Sequence, residues 1–290
     1  MKDLPVALSL LVATGCAAAG PPAGSTAPTP SSAPLTSVVG PAGTLSVDDG
    51  GRGGLPILFV HGNGSNKSQW SEQLSHFRAT RRALALDLHG MGKSAPASNG
   101  DDSVDAFAAD VAAVADAAKL TRFVLVGHSF GGAVVCAYAG RFPERVAGLV
   151  FADVAGDLSA TPPERVEGLR RSLAAANYAQ FTDAWFGTIL ANATDATRTT
   201  VMASLHATPR EVFTNAALAL YSFHLDEALS RYPGPKVSIA SYLADNPVAI
   251  HKTVPGIPVR VISGASHWLM MDKPDEFDRD LEDFLAGLHP

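Results

Sequence analysis

The sequence predicts an α/β fold: a doubly wound, mainly parallel sheet with a helical cap inserted between its sixth and seventh strands. Three observations carry this. From about residue 44 to the C-terminus, short apolar runs alternate with amphipathic stretches of helical spacing. The runs are continuous rather than alternating in polarity, the pattern of strands covered on both faces. Between residues 157 and 233 the alternation stops, and helical segments follow one another without a strand.

The elements follow in order. "TLSVDD" is a short strand, "LPILFVHG" a large apolar run ended by glycine, and "QWSEQLSHF" a helix. "RALALDLHG" is again a strand. "SVDAFAADVAAVADAA" is a helix that puts Phe107, Val111 and Val114 on one face. "RFVLVGHS" and "GGAVVCAYAGRF" form a strand and the helix after it, and "VAGLVFADV" is the sixth strand. The cap segments come next. In them Tyr178, Phe181, Trp185 and Phe186 make an apolar stripe that either packs the cap onto the sheet or lines a pocket. "KVSIASYL" and "PVRVISGAS" are the last strands, and "PDEFDRDLEDFLAGL" is the closing helix.

With 290 residues, 47% of them hydrophobic, the chain can bury one sizeable core plus a small appended layer. A net charge of −6 argues against a nucleic-acid partner, which calls for a basic face.

The N-terminus differs from the rest. Lys2 precedes "LPVALSLLVATG", a run too short to cross a bilayer and similar to a secretory segment. Ending in Gly15 and Cys16, residues 1–16 resemble a bacterial lipoprotein signal, which implies lipidation of Cys16 and anchoring to a bacterial membrane. Ala13 stands where such signals usually carry leucine, and a cleaved secreted protein is the alternative. Residues 17–43, rich in Ala, Pro, Ser and Thr, cannot bury a core and are expected to form a disordered tether. The domain is expected over 44–290, with the cap at 157–233. Cys136, in an apolar helix, is expected to be a buried small hydrophobe.

In such sheets ligands bind beyond the carboxyl ends of the strands. Every motif with chemical content falls there. Gly127-His128-Ser129-Phe130-Gly131 follows a strand and opens a helix. A turn that tight needs small flanking residues, and it presents the serine Oγ above a helix N-terminus, whose N–H groups favour developing negative charge.

On these residues the chain resembles the α/β-hydrolase superfamily, over roughly residues 44–288. "HGNGSNKSQW" is similar to the family's oxyanion loop, which implies the backbone N–H groups of Asn63 and Phe130 as the oxyanion donors. "DLHGMGKS" is similar to the turn after the fourth strand, with His89 where arginine is usual. Asp87 and His89 are expected to be structural. His267, in "GASHW" after the last strand, matches the family's base, since a serine hydroxyl needs an imidazole to take its proton. The acid must lie between Ser129 and His267 in chain order. Asp245, after the seventh strand, is the leading candidate, and Asp153, ending the sixth, is the alternative. Turn chemistry ahead of Asn246 as helix cap and Pro247 as first helical residue is the ordinary reading of Asp245. Asp272 is expected to be a loop or cap carboxylate, His61 structural, and His76, His206, His224, His251 and His289 surface or cap residues. No metal-binding spacing occurs, so neither metal nor cofactor is expected.

The resemblance implies a serine hydrolase cleaving a carboxylic ester or related acyl bond through an acyl-enzyme, and the cap fits a small to medium apolar acyl group. Lactone hydrolysis, C–C hydrolysis and perhydrolase activity use similar triads. The rival of another class is a non-catalytic surface binding protein on the same scaffold.

Overall fold

The computed structural model describes residues 34–288, so Cys16 and the signal-like segment around it lie outside the described residues. Eight strands form one sheet: β1 (Ser37–Val39), β2 (Thr44–Gly50), β3 (Ile57–Val60), β4 (Ala83–Leu86), β5 (Phe123–His128), β6 (Val146–Ala152), β7 (Lys236–Ala240) and β8 (Val259–Val261). Their spatial order is β1-β2-β4-β3-β5-β6-β7-β8. β2 runs antiparallel to both its neighbours, β1 and β4, and the other pairs are parallel, in keeping with the continuous apolar sequences of β3 to β7. β1 lies within the stretch expected to be tether. Its Val38 is buried, and Ser37–Val39 pair with Thr44–Ser46, so order begins upstream of residue 44.

The helices are α1 (Ser71–Phe77), α2 (Val104–Ala117), α3 (Phe130–Arg141), α4 (Pro163–Ala174), α5 (Tyr178–Ile189), α6 (Asp195–Ala207), α7 (Arg210–Ala219), α8 (Leu225–Ser230), α9 (Ile250–Thr253), α10 (Leu269–Asp272) and α11 (Pro274–Ala286). The two-residue period of the strands sorts side chains onto two faces. Leu58 and Val60 of β3 join Phe107 and Val111 of α2, Val134 of α3 and Leu229 of α8 in one core. Ile57 and Phe59 join Leu74 and Phe77 of α1 and Phe277 and Leu281 of α11 in the other. Helix α2 starts cleanly because Ser103 caps it, its Oγ accepting from Ala106 N at 3.2 Å. Cys136 is free and fully buried in α3, and burial pushes its thiol pKa up.

The cap is built by α4–α7, over the carboxyl ends of the strands. α8, within the span expected to be cap, packs instead through Leu225 and Leu229 on the core face of α2 and α3. It serves as the crossover helix that a right-handed parallel β6–β7 connection needs. Among the described residues no helix is long and apolar enough to cross a membrane.

Candidate active site

Ser129 is the first residue after β5 and has φ 51° and ψ −120°, a conformation that costs a non-glycine residue about 1–3 kcal/mol. The surroundings enforce it. Its N–H donates to Ala152 O at 3.1 Å, and α3 begins at the next residue. Gly131 permits the turn, because a Cβ there would sit 2.6 Å from the carbonyl oxygens of both Val60 and His61. Phe130 occupies the first position of α3, where a backbone N–H has no intrahelical acceptor.

The loop after β3 passes over this serine. A Cβ on Gly62 would meet Ser129 Cβ at 3.2 Å and His128 Nδ1 at 3.0 Å. His61 fixes the loop from below: its Nδ1–H donates to Gly62 O (2.7 Å), and its Nε2 accepts from Leu88 N (3.0 Å). Burial lowers its pKa, which keeps it in this neutral tautomer. Asn63 Nδ2 donates to Phe213 O of the cap at 2.9 Å, and its buried Oδ1 has no hydrogen-bond partner among the described residues.

His267 follows β8. Its Nδ1–H donates to Asp153 Oδ2 at 2.7 Å, which leaves Nε2 as the free ring nitrogen. Asp153 is 0% exposed, and its Oδ1 accepts from the backbone N–H groups of Ser241 (2.8 Å) and Leu243 (3.0 Å). This corrects the leading expectation for the acid. Asp245 is an exposed turn residue, and Asp153 holds the place beside the imidazole. The reason is local. The turn after β7 points its backbone N–H groups inward, as donors to Asp153. It then folds Asp245 outward, pinned by His251 Nε2–H donating to Ala244 O at 3.0 Å. The expected helix start at Asn246 and Pro247 is also displaced. Asn246 Oδ1 accepts from Val248 N (3.1 Å) in a tight turn, and α9 begins only at Ile250.

Ser129, His267, Asp153, Asn63 and Phe130 all border one cavity of about 240 Å³, whose walls include Trp185, Phe186, Ile189 and Phe213 of the cap. The aromatic stripe of α5 therefore divides its labour. Trp185 and Phe186 line the cavity, while Tyr178 packs edge-on against Phe213 (6.2 Å) and under the Arg210 guanidinium (4.7 Å). Tyr242, 41% exposed, stands edge-on to His267 at 6.0 Å.

Residues 56–225 match the family model described as the alpha/beta hydrolase fold. The chain belongs to the α/β-hydrolase fold family. Among curated relatives it is 39% identical over 149 residues to a non-heme chloroperoxidase of Streptomyces lividans, covering 46% of this chain and 51% of that one. It is also 39% identical over 128 residues to the dihydrolipoyllysine-residue acetyltransferase component of an acetoin cleaving system of Pseudomonas putida, covering 44% and 34%. The chain thus spans about half the length of these relatives or less. A thermophilic esterase from Thermogutta terrifontis superposes with a TM-score of 0.76 over 88% of this chain and 98% of its own, at 23% identity, a likeness of fold.

Three features of this α/β-hydrolase were not read from the sequence. His128, beside the serine, is fully buried and donates from Nε2 to His267 O at 2.9 Å. Burial first, and His267 second, hold its pKa well below the usual value, so the ring is neutral. Asp272, expected as a loop or cap carboxylate, binds both Ser266 N (2.9 Å) and Ser266 Oγ (2.5 Å) beside His267, and Thr194 N of the cap at 3.0 Å. His267 N itself donates to Ile189 O at the end of α5 (3.1 Å). The loop that carries the imidazole is therefore stitched to the cap by backbone atoms, which no side-chain pattern announces. Elsewhere, His89 proves structural as expected. It is fully buried, with Nδ1 2.7 Å from Asp110 Oδ2, Nε2 3.3 Å from Asp102 Oδ1, and its ring stacked on Phe107.

Proposed function

We propose that the protein is a serine hydrolase that cleaves small carboxylic esters through an acyl-enzyme. The observation that carries this reading is the 2.7 Å bond between His267 and a wholly buried Asp153, facing the same apolar cavity as the strained Ser129.

Ser129 Oγ attacks the ester carbonyl carbon as His267 Nε2 takes its proton. The negative charge moves to the carbonyl oxygen, which receives hydrogen bonds from the backbone N–H groups of Asn63 and Phe130. As the C–O bond to the alcohol breaks, Nε2 returns the proton to the departing oxygen. Water then attacks the acyl-enzyme, again losing its proton to Nε2, and that proton goes back to Ser129 Oγ as the acid is released. Asp153 fixes the tautomer and stabilises the imidazolium, and its two backbone donors hold it in place.

The cavity limits the substrate. At about 240 Å³ it exceeds the roughly 150 Å³ that holds a benzene and falls short of the 300–1,000 Å³ typical of drug-sized ligands. Its aliphatic and aromatic walls favour an apolar acyl group. We also propose that the chain is exported and anchored to a bacterial membrane through Cys16.

An ester panel of graded acyl length, with Ser129→Ala beside the wild type, tests the activity. Turnover lost in the variant, together with wild-type labelling by a fluorophosphonate, is expected. No serine-dependent turnover and no labelling would favour the binding-protein alternative. Palmitate labelling that disappears in Cys16→Ala is expected of the anchor.

A further inference from the structure

We propose that Tyr221 sets the length of substrate this site accepts, by walling the catalytic cavity off from a second, polar cleft on the far side of α7. This inference rests on the ester-hydrolase reading for its substrate, while its geometry stands apart from it.

The segment that ends α7 is two-sided. Ala217 and Leu220 face the catalytic cavity, while Leu218, Ala219 and Ser222 face a cleft of about 440 Å³ between the cap and the start of α2. Tyr221 borders both. The spaces differ in chemistry. The first is walled near Tyr221 by aliphatic and aromatic side chains. The second is bordered by Asp102, Ser103, Arg170 and Asn215, and Asn215 Nδ2 is tied to Asp102 Oδ2 at 2.8 Å. An apolar chain growing from the catalytic serine therefore meets the Tyr221 ring, and beyond the ring meets polar groups and solvent.

Bulk, not hydrogen bonding, does this work. Among the described residues nothing hydrogen-bonds the Tyr221 hydroxyl, and the residue lies in the turn after α7, with its backbone N–H on Leu218 O at 3.1 Å. Removing the ring should join the two spaces without breaking a polar network. The ring itself is half-buried, so truncation removes contact area on both sides.

Binding of straight-chain alcohols of increasing length, followed by the fluorescence of Trp185 and Trp268 in the cavity wall, tests this without any turnover. In the wild type each methylene should tighten binding by about fourfold until the chain reaches Tyr221, where the gain stops. In Tyr221→Ala the gain should continue for at least about two further methylenes at the same increment. Tyr221→Phe should stop where the wild type stops. If Tyr221→Ala does not fold, Tyr221→Val takes its place.

The same variants on the ester panel should move the optimum kcat/KM to longer chains. An unchanged stopping length in the truncated variant, a shift in Tyr221→Phe equal to that of the truncation, or no alcohol binding by the wild type overturns the inference. Failure of ester turnover with a shifted alcohol profile counts against the hydrolase reading alone.

Discussion

Ser129 and Asp153 leave adjacent parallel strands at the same level and with the same φ of 51°. The strand residues before them, His128 and Ala152, are register partners. Each then turns sharply, held by a backbone bond to the next strand over: Ser129 N to Ala152 O, and Asp153 N to Ile239 O at 2.9 Å. The same positive φ, repeated one strand apart, puts a serine and a carboxylate side by side at the sheet's edge, with the carboxylate bonded to the His267 imidazole. Aspartate tolerates the left-handed region better than most residues, which suits it to this place.

Replacement of the carboxylate tests the pairing. Asp153→Asn should keep the fold and cut kcat by about 10,000-fold, because the amide favours the wrong tautomer of His267. Asp245→Asn should stay close to the wild-type rate, since Asp245 is an exposed turn residue and the imidazole Nδ1 bonds Asp153 instead. Steady-state kinetics on one short ester decide between them, and a large loss in Asp245→Asn would break the assignment.

His89 predicts a pH dependence of stability. Burial pulls its pKa down, but the hydrogen bonds and charges of Asp102 and Asp110 outweigh this and raise it to about 9. The raised value sits above the ordinary 6.5, so the folded state holds a proton that the unfolded chain has released. The contribution is complete below pH 6.5 and is lost as pH climbs through about 9. Urea midpoints measured across that window should fall more steeply for the wild type than for His89→Gln. At pH 7 the variant should be less stable by about 3–5 kcal/mol, because Asp102 and Asp110 lose their counter-charge. Parallel curves would refute the ion pair.

If His267 is the base, Asp272 positions it, and its loss should separate turnover from binding. Asp272→Ala removes the acceptor shared by Ser266 and Thr194. A stability loss of about 1–3 kcal/mol is expected from the donors left unpaired. In activity, kcat should fall while KM changes little, since the loop of His267 is loosened but the cavity wall is not. A fall confined to KM would place Asp272 outside base positioning.

Gly131→Ala tests the packing under Ser129. The new methyl would lie 2.6 Å from two carbonyl oxygens of the β3 exit, so the backbone must move. A cost of about 1–3 kcal/mol or more is expected, read from the thermal midpoint, together with loss of fluorophosphonate labelling as Ser129 shifts. Normal labelling at normal stability would mean that the elbow is less constrained than its distances indicate.

The fold was legible because parallel strands buried on both faces leave an unambiguous apolar signature, as in "ILFV", "FVLVGH" and "VAGLVFA". Ser129 and His267 stood out in the sequence because nucleophilic chemistry demands particular neighbours at particular strand ends, and the structure brings both to one cavity. The carboxylate that partners His267 was harder to read. Both aspartates follow strands, and the deciding fact is three-dimensional: Asp153 comes immediately after β6, while Asp245 comes five residues beyond the end of β7, far enough for the chain to turn away. Distance from the strand end was the signal available for weighing them. β1 escaped notice because three residues, "SVV", carry too little pattern against a Pro- and Ser-rich background. The position of α8 escaped because its amphipathic face looks the same whether it caps the site or crosses behind the sheet.

The ties between the cap and the loops carrying Asn63 and His267 have a consequence for how this protein can change. Ile189 O, Phe213 O and Thr194 N, the cap's atoms in those bonds, all belong to the main chain. Side chains on α5 and α7 can therefore be exchanged without giving up the attachment. On the proposed reading, point mutations in the roof of the cavity can alter what it admits while the alignment of Ser129, His267 and Asp153 is inherited intact.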